Sequence, residues 1–107
     1  MANYILDASA VLAYINEEAG GQKVEKLLNA ATITSINLAE VYSKLLRGGM
    51  EVDETDMILR QCCPHTTDIN RPLAKMAACI HAHYYKQDLS YADSACLALG
   101  AQSQLPI

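Results

Sequence analysis

Apolar positions near the start of the chain predict a strand, two helices and a second strand. A short apolar run over 4–6 is typical of a buried strand, and it ends at an acid, Asp7. Helical spacing of apolar residues then predicts one helix at Ala8, Val11, Leu12 and Ile15, and another at Val24, Leu27, Leu28 and Ala31. A β-branched segment over 32–35 is typical of a second strand. This order favours a right-handed crossover within a parallel sheet.

The second half of the chain repeats the alternation of helices and strands. We predict a helix that Asn37 opens and Gly48 stops, and then a helix that Asp53 caps. A weak third strand is predicted over 64–67, and two further helices follow it, the second capped by Ser90. Their apolar stripes are Leu73, Met76, Ala77, Ile80 and Tyr84 in one helix and Ala92, Ala95, Cys96 and Leu99 in the other. Alternating strands and helices predict an α/β fold with a helix-covered parallel sheet.

Length and composition predict a single cytoplasmic domain over 1–107. The chain has 107 residues, 51% of them hydrophobic. This length and composition suffice for a hydrophobic core that needs no disulfide or metal cross-links. We expect reduced cysteines that pack as core hydrophobes, with a metal–thiolate site as the alternative, because no C-x-x-C pair and no signal peptide is present. No apolar run approaches a membrane span. The net charge of −4 argues against a protein that coats nucleic acid, but it is compatible with a nuclease that has an acidic metal site.

Three acids are predicted to meet at one edge of the sheet. Asp7 ends the first strand, and Glu40 and Asp93 fall in the first turns of two predicted helices. Helical side chains lean toward the helix N-terminus, so Glu40 and Asp93 should lean toward the strand ends. Carboxylates brought together repel each other unless they share a hard cation such as Mg²⁺ or Mn²⁺. Such a cation can clamp a phosphate and lower the pKa of a bound water.

Each acid also has a purely structural interpretation. Asp7 can cap the helix that follows it. Both 37–40 and 90–93 have the spacing of a capping box, and Glu40 with Lys44 has the spacing of a helical ion pair. A carboxylate can cap a helix and bind a metal at once, so both interpretations stay open.

Three stretches resemble one protein family. Residues 4–14, 36–41 and 89–99 are similar to segments of the PIN-domain family, in particular the VapC-type toxins of bacterial toxin–antitoxin pairs. The resemblance covers essentially the whole chain, in order. It implies a three-layer α/β/α sandwich and a metal-dependent endoribonuclease that a small antitoxin protein neutralises. In such an enzyme, metal-activated water attacks an RNA phosphodiester in line and leaves a 5′-phosphate.

The resemblance also implies roles for individual residues. Asp7 and Asp93 match the metal-binding acids, and Glu40 matches the central acid. Ser9 matches a small hydroxyl residue often found near the metal. All three acids are thereby predicted to be catalytic, with Mg²⁺ or Mn²⁺ as the cofactor.

Substrate contacts are predicted on the helix that carries the central acid. Lys44 and Arg47 share its polar face and could contact RNA phosphates, although such charges are more often simply solvated. Asn37, at the start of that helix, and Ser9 complete the predicted substrate-binding set. No membrane contact is expected.

The end of the chain departs from the family pattern. The final segment 105–107 fits the start of a family strand that lies beside the first strand, and the family continuation would supply a fourth acid. We therefore expect a C-terminally truncated PIN-like domain with weak or no activity. The first strand would then have one unpaired side, which predicts a homodimer or larger assembly.

Two other functions compete with the ribonuclease. One is a catalytically weak or inactive PIN-like binding or remnant domain that lacks the fourth acid. The other is a phosphotransferase-like enzyme with Asp7 as the nucleophile. Phosphotransfer by an aspartate commonly needs a second acid two residues after the nucleophile. Ser9 occupies that position here, so the phosphotransferase function ranks last.

Overall fold

A computed structural model describes residues 4–16, 30–104 and 107 of the chain. Its sheet has three parallel strands in the order β1-β2-β3. Strand β1 spans Tyr4–Leu6, β2 spans Ala31–Thr34 and β3 spans Thr66–Thr67. The parallel sheet agrees with the sequence prediction, and β1 and β3 form its two edges within the described residues.

Helices connect and cover the strands. Helix α1 follows β1, α2 and α3 follow β2, and α4, a short 3₁₀ helix and α5 follow β3. Their bounds are Ala8–Ile15 for α1, Ser35–Arg47 for α2, Val52–Cys62 for α3, Arg71–Tyr84 for α4, Tyr85–Gln87 for the 3₁₀ helix and Tyr91–Ser103 for α5.

Two hydrophobic clusters on opposite faces of the sheet make three layers. Successive strand residues face opposite sides, and Ile5 and Leu6 of β1 accordingly belong to different clusters. Leu6 packs with residues of α1, α2 and α3: Ala8, Val11, Val41, Leu45 and Leu59. Ile5 packs with residues of α4 and α5: Leu73, Ala77, Ala95, Cys96, Ala98 and Leu99. The predicted α/β/α sandwich is therefore confirmed.

Strand boundaries differ from the prediction by a residue or two. Ala31, expected on a helix, is the first residue of β2, and the rest of that predicted helix lies outside the described residues. Ser35, expected in the strand, begins α2 instead. The weak third strand is real but only two residues long, over 66–67.

The start of α2 was predicted wrongly. Thr34, the last residue of β2, is the N-cap, and its hydroxyl accepts a hydrogen bond from the backbone N–H of Asn37 at 3.1 Å. Asn37 therefore lies inside the first turn, and Glu40 lies in the second turn rather than the first. Asp53 likewise is not the cap of α3, since that position belongs to Glu51, without a side-chain hydrogen bond.

The predicted end of α2 and the predicted burial of two of the cysteines are confirmed. Gly48 is the C-cap of α2, and Gly49 adopts a φ of 102°, which a residue without Cβ reaches at little cost. Cys63 and Cys96 are buried, as expected of small core hydrophobes, and Cys62 is half-buried. Cys79 is exposed, so the prediction fails there.

A polar network joins α2 to α3. The Tyr42 hydroxyl donates to Asp56 Oδ1 at 2.6 Å, and Arg60 Nε donates to Asp56 Oδ2 at 2.9 Å. The hydrogen bond from Tyr42, and to a smaller extent the hydrogen bond from Arg60, lowers the pKa of Asp56 below its usual 3.8. The folded state therefore resists protonation of Asp56. The ionised Asp56 carboxylate contributes to the stability of the fold above pH 3.8, and this contribution is lost as the pH falls through the lowered pKa.

Replacing Tyr42 by Phe tests this network. At pH 7, Tyr42→Phe should lower the melting temperature by roughly 2–6 °C, because one partly buried hydrogen bond is lost. The difference from the wild type should shrink when Asp56 is protonated in acid. Thermal melts at neutral and acid pH, with half-buried Tyr14→Phe as the control, measure the effect. A difference that stays constant with pH would contradict this account.

Candidate active site

Asp7 lies at the carboxyl end of β1 and caps α1. Its Oδ1 accepts a hydrogen bond from the backbone N–H of Ala10 at 2.8 Å. The residue is half-buried, and its Oδ2 makes no hydrogen bond with the described residues. Asp7 is therefore a helix cap, as the structural interpretation predicted, and it keeps one carboxylate oxygen for another partner.

Asp93 repeats this arrangement at the start of α5. Ser90 Oγ accepts from the backbone N–H of Asp93 at 3.0 Å, and Asp93 Oδ2 accepts from the backbone N–H of Ser90 at 3.2 Å. The predicted capping box at this helix is thus confirmed. Asp93 is exposed, and within the described chain its Oδ1 is free of hydrogen bonds.

A buried thiol links the two elements that carry the aspartates. Cys96 is 3% exposed, lies one helical turn after Asp93, and packs in one core cluster with Ile5, two residues before Asp7. Burial, and then the negative charges of Asp7 and Asp93, raise the pKa of the Cys96 thiol to about 11. The structure therefore brings the end of β1 and the first turn of α5 together around Cys96.

Glu40 has neither of the structural roles predicted for it. It is half-buried in the second turn of α2, too far along the helix for a capping box. Among the described residues its carboxylate makes no hydrogen bond, and it forms no ion pair with Lys44. Both structural interpretations of Glu40 are therefore wrong, and its carboxylate is available for other interactions.

Asn37 links the carboxyl end of β2 to the start of α5. Its side-chain Nδ2 donates to Thr34 Oγ1 at 2.8 Å and to the backbone carbonyl of Ala92 at 3.1 Å. The residue is only 1% exposed. Ala92 directly precedes Asp93, so Asn37 fixes the turn that carries this acid. The predicted contact of Asn37 with substrate stays a prediction, and in this structure the side chain has almost no accessible surface.

The remaining predicted substrate residues lie on the surface. Ser9 is exposed in the first turn of α1, two residues after Asp7. Lys44 and Arg47 are exposed in the last turn of α2, where positive charge favours the helix dipole. Arg47 is about 10 Å along the helix axis from Glu40, at 1.5 Å per residue. Arg47 is thus separated from Glu40, whereas Lys44 lies one turn from Glu40 on the same side of the helix.

The available oxygens suit a hard divalent cation. Residues 4–16, 30–104 and 107 contain no group of three or more His, Cys, Asp and Glu side chains close enough to hold a metal. Mg²⁺, however, is usually held by one or two carboxylates together with waters and substrate phosphates. Asp7 and Asp93 each offer one carboxylate oxygen that no cap uses, so this donor set fits such a cation.

Fold and site together define an α/β protein with two capping aspartates beside one buried thiol. A family model described as the PIN domain matches residues 4–107, so the chain belongs to the PIN domain family. PIN domains are generally divalent-metal-dependent nucleases, and membership therefore suggests nuclease activity on a nucleic-acid substrate. No curated protein matches the chain. Among the described helices, none combines the length and apolarity needed to cross a membrane.

Proposed function

We propose that this chain is a metal-dependent endoribonuclease of a toxin–antitoxin pair that hydrolyses RNA phosphodiesters. One observation carries the proposal: Asp7 follows β1, whose Ile5 packs with Cys96, Asp93 lies one turn before Cys96, and each aspartate has one cap-bound oxygen and one oxygen without a hydrogen bond among the described residues. In a PIN-family chain, this arrangement presents two ligand oxygens held in place by the backbone. The resemblance to VapC-type toxins supplies the choice of RNA as substrate.

The chain's own residues would orient the reacting groups. Asp7 and Asp93 would hold Mg²⁺ or Mn²⁺, which when bound clamps a phosphate and lowers the pKa of a coordinated water. The backbone N–H groups of Ala10 and Ser90 keep the two carboxylates in place, so little side-chain entropy is lost on binding. Glu40 would accept a proton from the attacking water, for which its unpaired carboxylate is suited.

Polar surface residues would complete substrate binding. Ser9, two residues after Asp7, can donate its hydroxyl proton to a phosphate oxygen near the metal-binding acids. Lys44 and Arg47 would contact phosphates further along the RNA, because they lie at the other end of α2 from Asn37. Asn37 would act by positioning the first turn of α5.

The direct test is cleavage of a labelled single-stranded RNA by the purified chain. We expect weak cleavage in Mn²⁺ or Mg²⁺, none in EDTA, and recovery when the metal is restored. Products should carry a 5′-phosphate, which a 5′-phosphate-dependent exonuclease detects. Metal-independent cleavage, or products with a 2′,3′-cyclic phosphate, would contradict the proposed mechanism.

A catalytically weak or inactive PIN-like binding domain is the second candidate. The part of the chain that the structure describes contains no group of three or more possible metal ligands, and this favours the second candidate. This domain would bind RNA without cutting it at any metal concentration. The cleavage assay, run beside an RNA-binding assay, separates the two functions.

The proposed partners are a small antitoxin and a second copy of the chain, in the cytoplasm. Strand β1 pairs with β2 on one side only among the described residues, and exposed strand edges favour pairing with another strand. This edge supports the proposal of a homodimer. Light scattering should detect the dimer, and co-expression with a small neighbouring gene should yield a co-purifying antitoxin. A monomer that captures neither would contradict these partners.

A further inference from the structure

An aromatic cluster lies where α4 ends and α5 begins. It contains the three most exposed tyrosines of the chain, Tyr84, Tyr85 and Tyr91, and two histidines. The rings form two separate pairs: His81 stacks on Tyr91, and His83 meets Tyr84 edge to face. We propose that the ring pair of His81 and Tyr91 is a stacking platform for an unpaired base of the RNA substrate. This inference rests on the proposed ribonuclease function and adds to it a binding subsite beside Asp93.

The geometry of the ring pair suits a base. The rings of His81 and Tyr91 are stacked, with centroids 4.0 Å apart and planes 19° from parallel. His81 covers one face of the Tyr91 ring, yet Tyr91 remains 62% exposed. A flat base placed on the free face would extend an existing stack. Because His81 already holds the tyrosine ring in place, the ring has less freedom to lose when a base binds.

The charges around the aromatic cluster are of both signs. Residues 71–87 contain Arg71, Lys75 and Lys86 and no Asp or Glu, whereas the whole chain has a net charge of −4. Lys86 holds its Nζ 5.9 Å from the centre of the Tyr85 ring, close to the cluster. Asp88 follows this segment directly and Asp93 lies in the turn of Tyr91, so the attraction for a phosphate near the ring pair comes from Lys86.

The platform lies in the same helical turn as a proposed catalytic acid. Tyr91 and Asp93 are about 3 Å apart along the axis of α5, but residues two positions apart point to nearly opposite sides of a helix. Ala92, between them, accepts the hydrogen bond from buried Asn37, which fixes this turn to the end of β2. An RNA strand with one base on Tyr91 would therefore pass across the start of α5 to bring a more distant phosphate near Asp93.

Recognition of single-stranded RNA commonly uses such surfaces. Unpaired bases stack on aromatic side chains while basic residues follow the phosphates. Stacking tolerates any base, so the platform would select unpaired RNA rather than a sequence. A buried protein interface could also use exposed tyrosines, but the stacked ring pair, with Tyr91 62% exposed, favours an unpaired base.

The test measures RNA binding and tyrosine fluorescence together. A short labelled single-stranded RNA is titrated in Ca²⁺ buffer, and gel analysis verifies that it stays intact. Because the chain has no Trp, its own emission comes from tyrosine, and a stacked base should quench it. Tyr91→Ala and His81→Ala should weaken binding by about five- to a hundredfold. Met57→Ala, a matched surface change at 58% exposure on α3, should bind as the wild type does.

A conservative variant separates stacking from a general surface effect. Tyr91→Phe keeps a ring and should bind nearly as tightly as the wild type, with less quenching. An RNA with one abasic nucleotide should lose affinity for the wild type but not for Tyr91→Ala.

Three results would overturn the platform. If Tyr91→Ala binds RNA as well as Met57→Ala while cleavage is intact, the platform fails and the ribonuclease function stands. If Tyr91→Ala loses only self-association or a protein partner, the cluster is a protein interface. If the wild type neither binds nor cleaves RNA, the platform and the proposed function both fail.

Discussion

Glu40→Gln should reduce RNA cleavage by at least about a hundredfold while leaving the fold intact. Gln has nearly the same shape but accepts a proton far less readily than a carboxylate. The Glu40 carboxylate has no hydrogen-bond or ion-pair partner among the described residues, so its loss removes no structural contact. The measurement is the cleavage rate in Mn²⁺, with circular dichroism melts of the same samples.

An exposed acid on α3 provides the control for Glu40→Gln. Glu54→Gln removes the same charge from the surface, outside the proposed site, and should cleave as the wild type does. Unchanged cleavage in Glu40→Gln would remove Glu40 from the mechanism. A large drop in its melting temperature would instead point to a structural role.

Asp7→Asn should weaken Mn²⁺ binding by at least about tenfold, because one anionic oxygen ligand is lost. Its stability without metal should be unchanged or slightly higher. Asn is as good an N-cap as Asp, so the hydrogen bond to Ala10 can persist, and repulsion between clustered acids falls. Isothermal titration and metal-free thermal melts measure the two effects separately.

Asp7→Ala separates the two roles of this aspartate. It removes the cap as well as the ligand, and should cost about 0.5–2 kcal/mol of stability without metal in addition to the loss of metal affinity. Equal stability of Asp7→Ala and Asp7→Asn would show that the cap contributes little. Wild-type Mn²⁺ affinity in Asp7→Asn would refute the assignment of Asp7 as a ligand.

Most of the architecture could be predicted from the sequence because it follows from local patterns. Helical spacing of apolar residues predicted α1 and α4, a glycine pair predicted the end of α2, and a Ser-x-x-Asp segment predicted the capping box at Ser90. The start of α2 was misplaced because both Thr34 and Asn37 are good cap residues. The structure decides between them, since Asn37 turns its amide to a carbonyl 55 residues away.

Part of the candidate site could also be predicted, because local sequence patterns predict the elements that carry two of its acids. Asp7 and Asp93 end or begin elements that sequence patterns predict, and their approach follows from the parallel sheet. Cys96 between them carried no distinctive motif. The stacking of His81 on Tyr91 depends on how α4 packs against α5, a tertiary contact that no local spacing encodes. The exposed fraction of a tyrosine is likewise a property of the folded chain.

The hydrogen bond from Asn37 to Ala92 has a consequence for the timing of activity during synthesis. Asp7, Glu40 and Asn37 leave the ribosome well before Ala92 and Asp93, because the chain emerges from its N-terminus. A nascent chain that lacks α5 therefore contains Asp7 and Glu40 but not Asp93. Its Asn37 side chain also lacks the Ala92 carbonyl to which it donates in the folded chain. If the chain cleaves RNA as proposed, each copy would become active only after α5 has emerged from the ribosome.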